Sequence, residues 1–339
     1  MPGIRRRLAV IFVFIFFISI FSVLAAEIKF GGYIHAWFSY GDLDNDGSGA
    51  YGFTLRRVRL KPYGSLSKSI KWGLQVGWDK QTASLIEVYI DFDLSKSVKI
   101  KIGQFPVPGA ISGTLTSTTR LDFIERAVVT DQWGKNSALL RHRGVGLQVY
   151  GNLFNEKLYY AVMIANPRTS SLFSPGIKSP GYSHEDNGFT FWGRVEAALM
   201  KGFKIGAFYS GGKTTDTDSN YIRNSYGAHL FYSKDPVNFK IEYIAGGYGI
   251  EGEETRYNGM YTVFGYKIGK LEPIIRYGLY TPNNGHPDNI GVETYKNFTL
   301  GMNYYPGSKL KFQVNYVSRN EKGIKLTNNL FYINLQFVF

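Results

Sequence analysis

Arg57, Arg59 and Lys61 stand at every second position, as do Lys99 and Lys101, and Glu87, Asp91 and Asp93 keep one parity in a nearby stretch. In an extended chain such positions share a face, with about 7 Å between neighbours. Lys71, Gln75 and Asp79 form another such row, and Arg276 and Lys311 take the polar parity of later segments. Rows of fixed charge set an electrostatic potential along a surface. Inside a narrow water-filled passage, that potential decides which ions enter. Other chemistry finds little support: no Gly-x-Ser-x-Gly, phosphate-cradling glycine loop or His-Glu-x-x-His is present. His35, His142, His184, His229 and His286 are scattered without metal-ligand spacing, and read as lumen, girdle or loop residues. Asp42-Leu43-Asp44-Asn45-Asp46-Gly47 opens like a calcium loop, but Phe53 stands where a bidentate Glu is needed, so it reads as an Asx-rich turn. No cofactor, metal or catalytic residue is expected.

The elements that must hold these rows are strands with an apolar opposite face. Ile28, Phe30, Ile34, Ala36 and Phe38 share one parity; so do Ile70, Trp72, Leu74, Val76 and Trp78, then Ile86, Val88, Ile90 and Phe92, and later Leu310, Phe312, Val314 and Tyr316. The last nine residues are the clearest case, with Phe331, Ile333, Leu335, Phe337 and Phe339 alternating with mostly polar neighbours. Strands with lipid on one side and water on the other must close into a ring, because an open edge in lipid leaves backbone groups unsatisfied. Sixteen strand-like segments fit between Glu27 and Phe339, and short connections alternate with mostly longer polar ones. The expected fold is therefore all-β: a transmembrane antiparallel up-and-down β-barrel of about 16 strands, with short periplasmic turns, long outside loops and one long inward-folding constriction loop. Arg141 and Arg143 share the parity of Val145, Leu147 and Val149, which should face lipid. Either they sit at the headgroups or a subunit contact, or Gly144 marks a bulge that reverses the parity.

Composition agrees with this. Tyr 25, Phe 25, Gly 39 and no Cys in 339 residues, with mean hydropathy −0.16, are too polar for a helical membrane bundle and suit a chain that averages lipid-facing and lumen-facing positions. Residues 1–26 read as a cleavable signal peptide: Arg5-Arg6-Arg7, an apolar run from Leu8 to Val23, and small residues at Ala25 and Ala26. Residues 27–339 form a single barrel domain. Removing the three arginines leaves a formal charge of +10 in place of +13, which favours anionic partners, with nucleic acid excluded by the compartment.

The longest connection, residues 105–139, is the candidate for function. It leaves through Gly103-Gln104-Phe105, passes the hydroxyl-rich Thr114-Leu115-Thr116-Ser117-Thr118-Thr119, and continues as Arg120-Leu121-Asp122-Phe123-Ile124-Glu125-Arg126. Leu121, Phe123 and Ile124 need something to pack on, and a barrel interior offers it. Together with the Gly32-Tyr33-Ile34-His35-Ala36 strand, the Arg56-Arg57-Val58-Arg59-Leu60 strand and terminal Phe339, these motifs resemble the phosphate-selective porin family, sixteen-stranded trimeric channels of the outer membrane. The resemblance implies a homotrimer in outer-membrane lipid. It also implies a basic eyelet with Arg56, Arg57 and Arg59 on the wall and Ser117, Thr118, Thr119, Arg120 and Arg126 on the loop, passing small anions of the phosphate type. Arg serves there because its planar paired donors match oxyanions, and hydroxyls replace hydration water. Pro106, Pro108, Gly109 and Gly113 depart from the family pattern, and Glu87, Asp91 and Asp93 form an acidic wall opposing the arginines. Two alternatives therefore stay open: a general diffusion porin with weak charge selectivity, and a structural or adhesive barrel whose loop projects outward. For Glu125 and Arg126, a salt bridge anchoring the loop and direct contact with ions are both open.

Overall fold

The computed structural model describes residues 28–41, 49–79, 82–136, 142–166, 189–216, 219–286, 291–324 and 328–339. The signal segment, the Asx-rich turn at 42–47 and Arg141 lie outside the described residues. Period-two alternation gives each strand one face for lipid and one for water, and the strands satisfy their backbone groups by closing on themselves. Among the described residues sixteen strands form one closed antiparallel barrel in sequence order. They are β1 Ile28–Gly41, β2 Ala50–Ser65, β3 Ile70–Asp79, β4 Thr82–Asp93, β5 Lys99–Pro106, β6 Arg143–Leu153, β7 Leu158–Ala165 and β8 Thr190–Met200. The second half is β9 Phe203–Asp216, β10 Ser219–Lys234, β11 Val237–Ile250, β12 Thr255–Tyr266, β13 Leu271–Thr281, β14 Thr294–Gly307, β15 Leu310–Lys322 and β16 Leu330–Val338.

The ring closes where β1 pairs with β16, from Tyr33 opposite Val338 to Gly41 opposite Leu330. Gly32 and Phe339 extend the seam by exchanging two backbone hydrogen bonds of 3.0 Å. A Cβ on Gly32 would collide with the Arg59 carbonyl and the Phe339 ring. Gly32→Ala is therefore predicted to destabilise the barrel by about 1–3 kcal/mol, as overpacking does. The check is the temperature at which the folded gel mobility is lost; an unchanged temperature would contradict the reading of the seam.

The apolar faces point outward as the alternation requires. Phe30, Trp78, Phe312, Ile333 and Phe337 are exposed, whereas His35, Gln75, Gln313, Asn315 and Asn334 on the other parity are buried. Two bulges change individual assignments. Between β1 and β2 the register shifts after His35, which pairs with Arg57, to Ala36, which pairs with Leu55. Arg56 is the extra residue, and both Arg56 and Arg57 line the interior. Between β3 and β4 the register shifts from Gln75 opposite Glu87 to Val76 opposite Leu85. Ile86 is thereby turned inward and buried, and exposed Leu85 takes the outward place that the alternation had given to Ile86. Two strands also run further than their apolar pattern: β9 and β10 remain paired up to Asp216 and Ser219, through residues expected as an outside loop. Above the lipid a paired strand needs no apolar face, so the sequence loses its alternation there while the ladder continues.

Arg143 turns out to face inward. The β5–β6 register continues without a shift, with Phe105 opposite Gly144 and Pro106 opposite Arg143, so Gly144 is not a bulge. His142, just before the strand, takes a left-handed backbone with φ 65°, and the Arg143 guanidinium reaches Glu87.

Between β5 and β6 the chain makes a π-helical turn at Ile111–Leu115, a 3-10 turn at Thr118–Arg120 and helix α1 at Val128–Asn136. Its apolar side chains Val107, Phe123, Val129 and Trp133 are buried in one cluster with Met163, Trp192, Phe208 and Tyr261 of the wall. These residues build an apolar core inside the barrel, on one side of the lumen.

Candidate functional site

The 105–136 segment is fastened to the wall by polar side chains that reach it from eight strands. Buried Glu242 on β11 accepts the Ile111 N–H at 2.5 Å, the Ser112 N–H at 3.3 Å and the Tyr261 hydroxyl at 2.9 Å. Lys240 and Asn238 on the same strand donate to the Asp122 carboxylate at 2.7 and 2.9 Å. Lys311 Nζ donates to the Leu121 carbonyl at 2.6 Å, and Asn315 Oδ1 accepts the Ile124 N–H at 2.7 Å. Arg276 donates to the Glu125 carbonyl, Arg194 to the Gly109 carbonyl, Asn303 to the Asp122 carbonyl and Gln336 to the Thr119 carbonyl. Thr118 donates to the Tyr33 hydroxyl at 2.6 Å. The sequence placed Arg276 and Lys311 in the lumen without giving them a partner. It gave no role to Glu242, Asn315, Asn303 or Arg194.

Open space lies between this segment and strands β2 to β6. One cavity of about 590 Å³ is lined by Arg56, Arg57, Arg59 and Lys61 of β2, Gln75 and Asp79 of β3, Glu87 of β4, Arg143 of β6, and Ser117, Thr118, Glu125 and Arg126 of the segment. A second, of about 380 Å³, lies toward the long-loop end and includes Trp37, Arg276, Arg319 and Tyr332. The two share Arg56, Glu125, Arg126 and Asp131, which makes that group the neck between them. Six cations face four carboxylates around the larger cavity.

Most of these charges are paired. Arg56 and Arg57 each donate to one oxygen of Glu125 at 3.2 Å, with their guanidiniums 5.2 and 5.4 Å from the Trp37 ring centre. Arg59 makes a two-point contact with Asp79, one arm at 2.8 Å. It lies over Gly77, where a Cβ would strike the guanidinium. Arg126 braces the segment through the Ser112 carbonyl at 2.7 Å and the Thr116 carbonyl at 3.1 Å. Ser117 lines the cavity, the Thr119 hydroxyl meets that of Ser117 at 3.0 Å, and Arg120 is exposed and lines neither cavity.

The acidic row does not stand opposite the arginines as a free wall. Glu87 accepts from Arg143 at 2.6 Å, Asp91 from Lys101 at 3.2 Å and from Tyr150 at 2.6 Å, and Asp93 from Lys99 at 2.8 Å and from Lys71. The β4 carboxylates are interleaved with cations of β3, β5 and β6, because the antiparallel register sets Asp93 opposite Lys99 and Asp91 opposite Lys101. Lys99 and Lys101 accordingly sit near the short-turn end, outside both cavity linings.

Burial pushes the Glu125 carboxyl up, but Arg57 and Arg56 beside it outweigh that effect and hold it down at about 2. Burial and the neighbouring Arg57 lower Arg126 to about 10, which leaves it charged at neutral pH. A depressed carboxylate stabilises the fold above its ordinary value, about 4.3, and that contribution is lost as pH falls from there through the folded value. The contribution of Glu125 to the ion preference of the neck is thus predicted to persist from pH 7 to pH 4 and to be lost only toward pH 2. A transition near pH 4.5 that Glu125→Gln removes would contradict this.

A model of the family described as phosphate-selective porin O and P matches residues 28–171 and 206–339. No curated protein matches the sequence. Among solved structures, the anion-selective porin from Comamonas acidovorans superposes with TM-score 0.70 at 12% identity, over 93% of this chain and 100% of that one. The outer membrane channel DcaP of Acinetobacter baumannii gives 0.66 at 12%, over 93% and 97%. OmpT of Vibrio cholerae in its trimer form gives 0.65 at 12%, over 93% and 100%. At such identities the likeness is one of barrel architecture.

Proposed function

Because the chain belongs to the phosphate-selective porin O and P family, and is therefore an integral outer-membrane β-barrel channel, we propose that it passes small anions by diffusion through a lumen narrowed at Arg56, Arg57, Glu125, Arg126 and Asp131. The observation that carries this reading is the excess of cations around that junction: Arg56 and Arg126, which line both cavities, and Arg57, which lines the larger one and is bonded to Glu125, against the carboxylates of Glu125 and Asp131. In a low-dielectric wall such an excess raises the local concentration of anions and lowers that of cations. Arg59, Lys61 and Ser117 below the neck, and the Tyr33 hydroxyl that accepts from Thr118, offer donors to an oxyanion that has shed part of its hydration. This is the basis for a preference for phosphate-type oxyanions. The pairing of Arg59 with Asp79 favours the second reading, a general diffusion porin with weak charge selectivity.

Added phosphate distinguishes the two. At fixed chloride, phosphate is expected to lower the single-channel current saturably in the wild type, and less so in Arg59→Ala/Lys61→Ala. A current indifferent to phosphate would leave the general porin. The trimer form of the architecturally similar OmpT and the family resemblance support a homotrimer, and residues 1–26 are proposed to be removed on export.

A further inference from the structure

Glu125 is held as a bound ligand would be. Its backbone is fixed on one side by Asn315, which accepts the Ile124 N–H, and on the other by Arg276, which donates to the Glu125 carbonyl at 2.8 Å. Its two carboxylate oxygens are divided between Arg56 Nη2 and Arg57 Nη2. A third of the Glu125 side chain and a quarter of Arg56 nevertheless remain open to the lumen, so the contact is exchangeable. A self-sufficient ion pair would satisfy its own buried donors. Here Arg57 Nη1 and Trp37 Nε1 are buried with no acceptor among the described residues. The wall next to them is also apolar, where a purely aqueous passage has no use for it: Trp37, Val317, Leu330 and Tyr332 cluster together and line the outer cavity.

We propose that the outer cavity is a binding site for organic monocarboxylates with a compact apolar body, and that Glu125 is the tethered carboxylate an entering solute displaces from Arg56 and Arg57. The inference rests on the anion-channel reading and names the class of solute for that same neck. The chemistry separates carboxylate from phosphate. Two nitrogens placed on the two oxygens of one planar group match a carboxylate, the apolar wall contributes only to a solute that has an apolar part, and a phosphate dianion would carry a second negative charge toward Glu125 and Asp131. Trp37 serves both halves, because its ring backs the guanidiniums and forms the start of the apolar wall.

The test is block of single-channel chloride current by benzoate, acetate and inorganic phosphate added from the long-loop side. In Glu125→Gln the half-blocking benzoate concentration is expected to fall about tenfold from wild type, as removal of a charged competitor for two charge-assisted bonds allows, with benzoate blocking below acetate. Adding Trp37→Leu should bring benzoate back to the level of acetate and leave acetate where it was. Equal half-block in wild type and Glu125→Gln, or phosphate as the strongest blocker in Glu125→Gln, would overturn the proposal. Only folded, inserted barrels conduct. If Glu125→Gln yields no channels, Glu125→Asp, which draws the carboxylate back by one methylene, should give the same order with a smaller shift, and an unshifted order there overturns it too. A wild type without anion preference would refute the channel reading itself. An anion-preferring wild type whose block ignores Glu125 would refute only this inference.

Discussion

Replacing Arg56 and Arg57 together with Ala is expected to carry the reversal potential of the channel, under a potassium chloride gradient, from the anion side to the cation side. Arg56 and Arg126 face Glu125 and Asp131 where the two cavities meet, and Arg57 of the larger cavity is bonded to Glu125, so the substitution turns three cations against two carboxylates into one against two. The effect exceeds a simple loss of two charges. Glu125 is held ionised by Arg57 and Arg56, and without them it becomes an unpaired carboxylate where the two cavities meet, its own affinity for a proton rising as burial goes unopposed. The double variant should therefore show a cation preference that weakens below pH 5, which the wild type does not. An anion-side reversal retained in the double variant would place the selectivity at Arg59, Lys61 and Arg143 instead.

The largest effect on architecture is expected from Glu242→Ala. That carboxylate is buried and accepts two backbone N–H groups and a tyrosine hydroxyl, and each buried donor left without an acceptor costs about 1–3 kcal/mol. The barrel ladder does not depend on Glu242, so the loss should fall on the root of the inward segment. The expected result is a folded barrel whose 107–136 stretch becomes open to protease and whose single-channel current is noisier and at least twofold larger. Glu242→Gln keeps one carbonyl acceptor and should lie between. A quiet channel of unchanged conductance in Glu242→Ala would mean that the Asp122, Lys311 and Asn315 contacts hold the segment without it.

What was readable in the sequence follows from where the physics is repetitive. Lipid imposes one apolar face on every strand, so β1, β3, β15 and β16 declare themselves by alternation, and Leu121, Phe123 and Ile124 signal a segment that must pack; all three are buried. Bulges break the repeat with one residue and are harder to see. Arg56 and Arg57 did carry a signal: two adjacent arginines within a strand cannot both avoid lipid unless the register shifts between them. Ile86 beside Glu87 carried none, since an apolar residue is at home on either face. The pairing of Asp91 with Lys101 and Asp93 with Lys99 was also within reach, because the short connection after β4 fixes that register. The fastening of the inward segment was not. Glu242 meets Ile111 across 131 positions of chain, and Asn315 meets Ile124 across 191, and no local pattern announces a contact that only ring closure creates.

The measurement that bears most directly on the account is the reversal potential of the purified wild-type protein in a planar bilayer with unequal potassium chloride on the two sides. The cation excess at the neck predicts reversal on the anion side. Reversal at zero or on the cation side would contradict it, and would mean that the carboxylates of Asp79, Glu87, Glu125 and Asp131 balance or outweigh the cations that line the cavity with them.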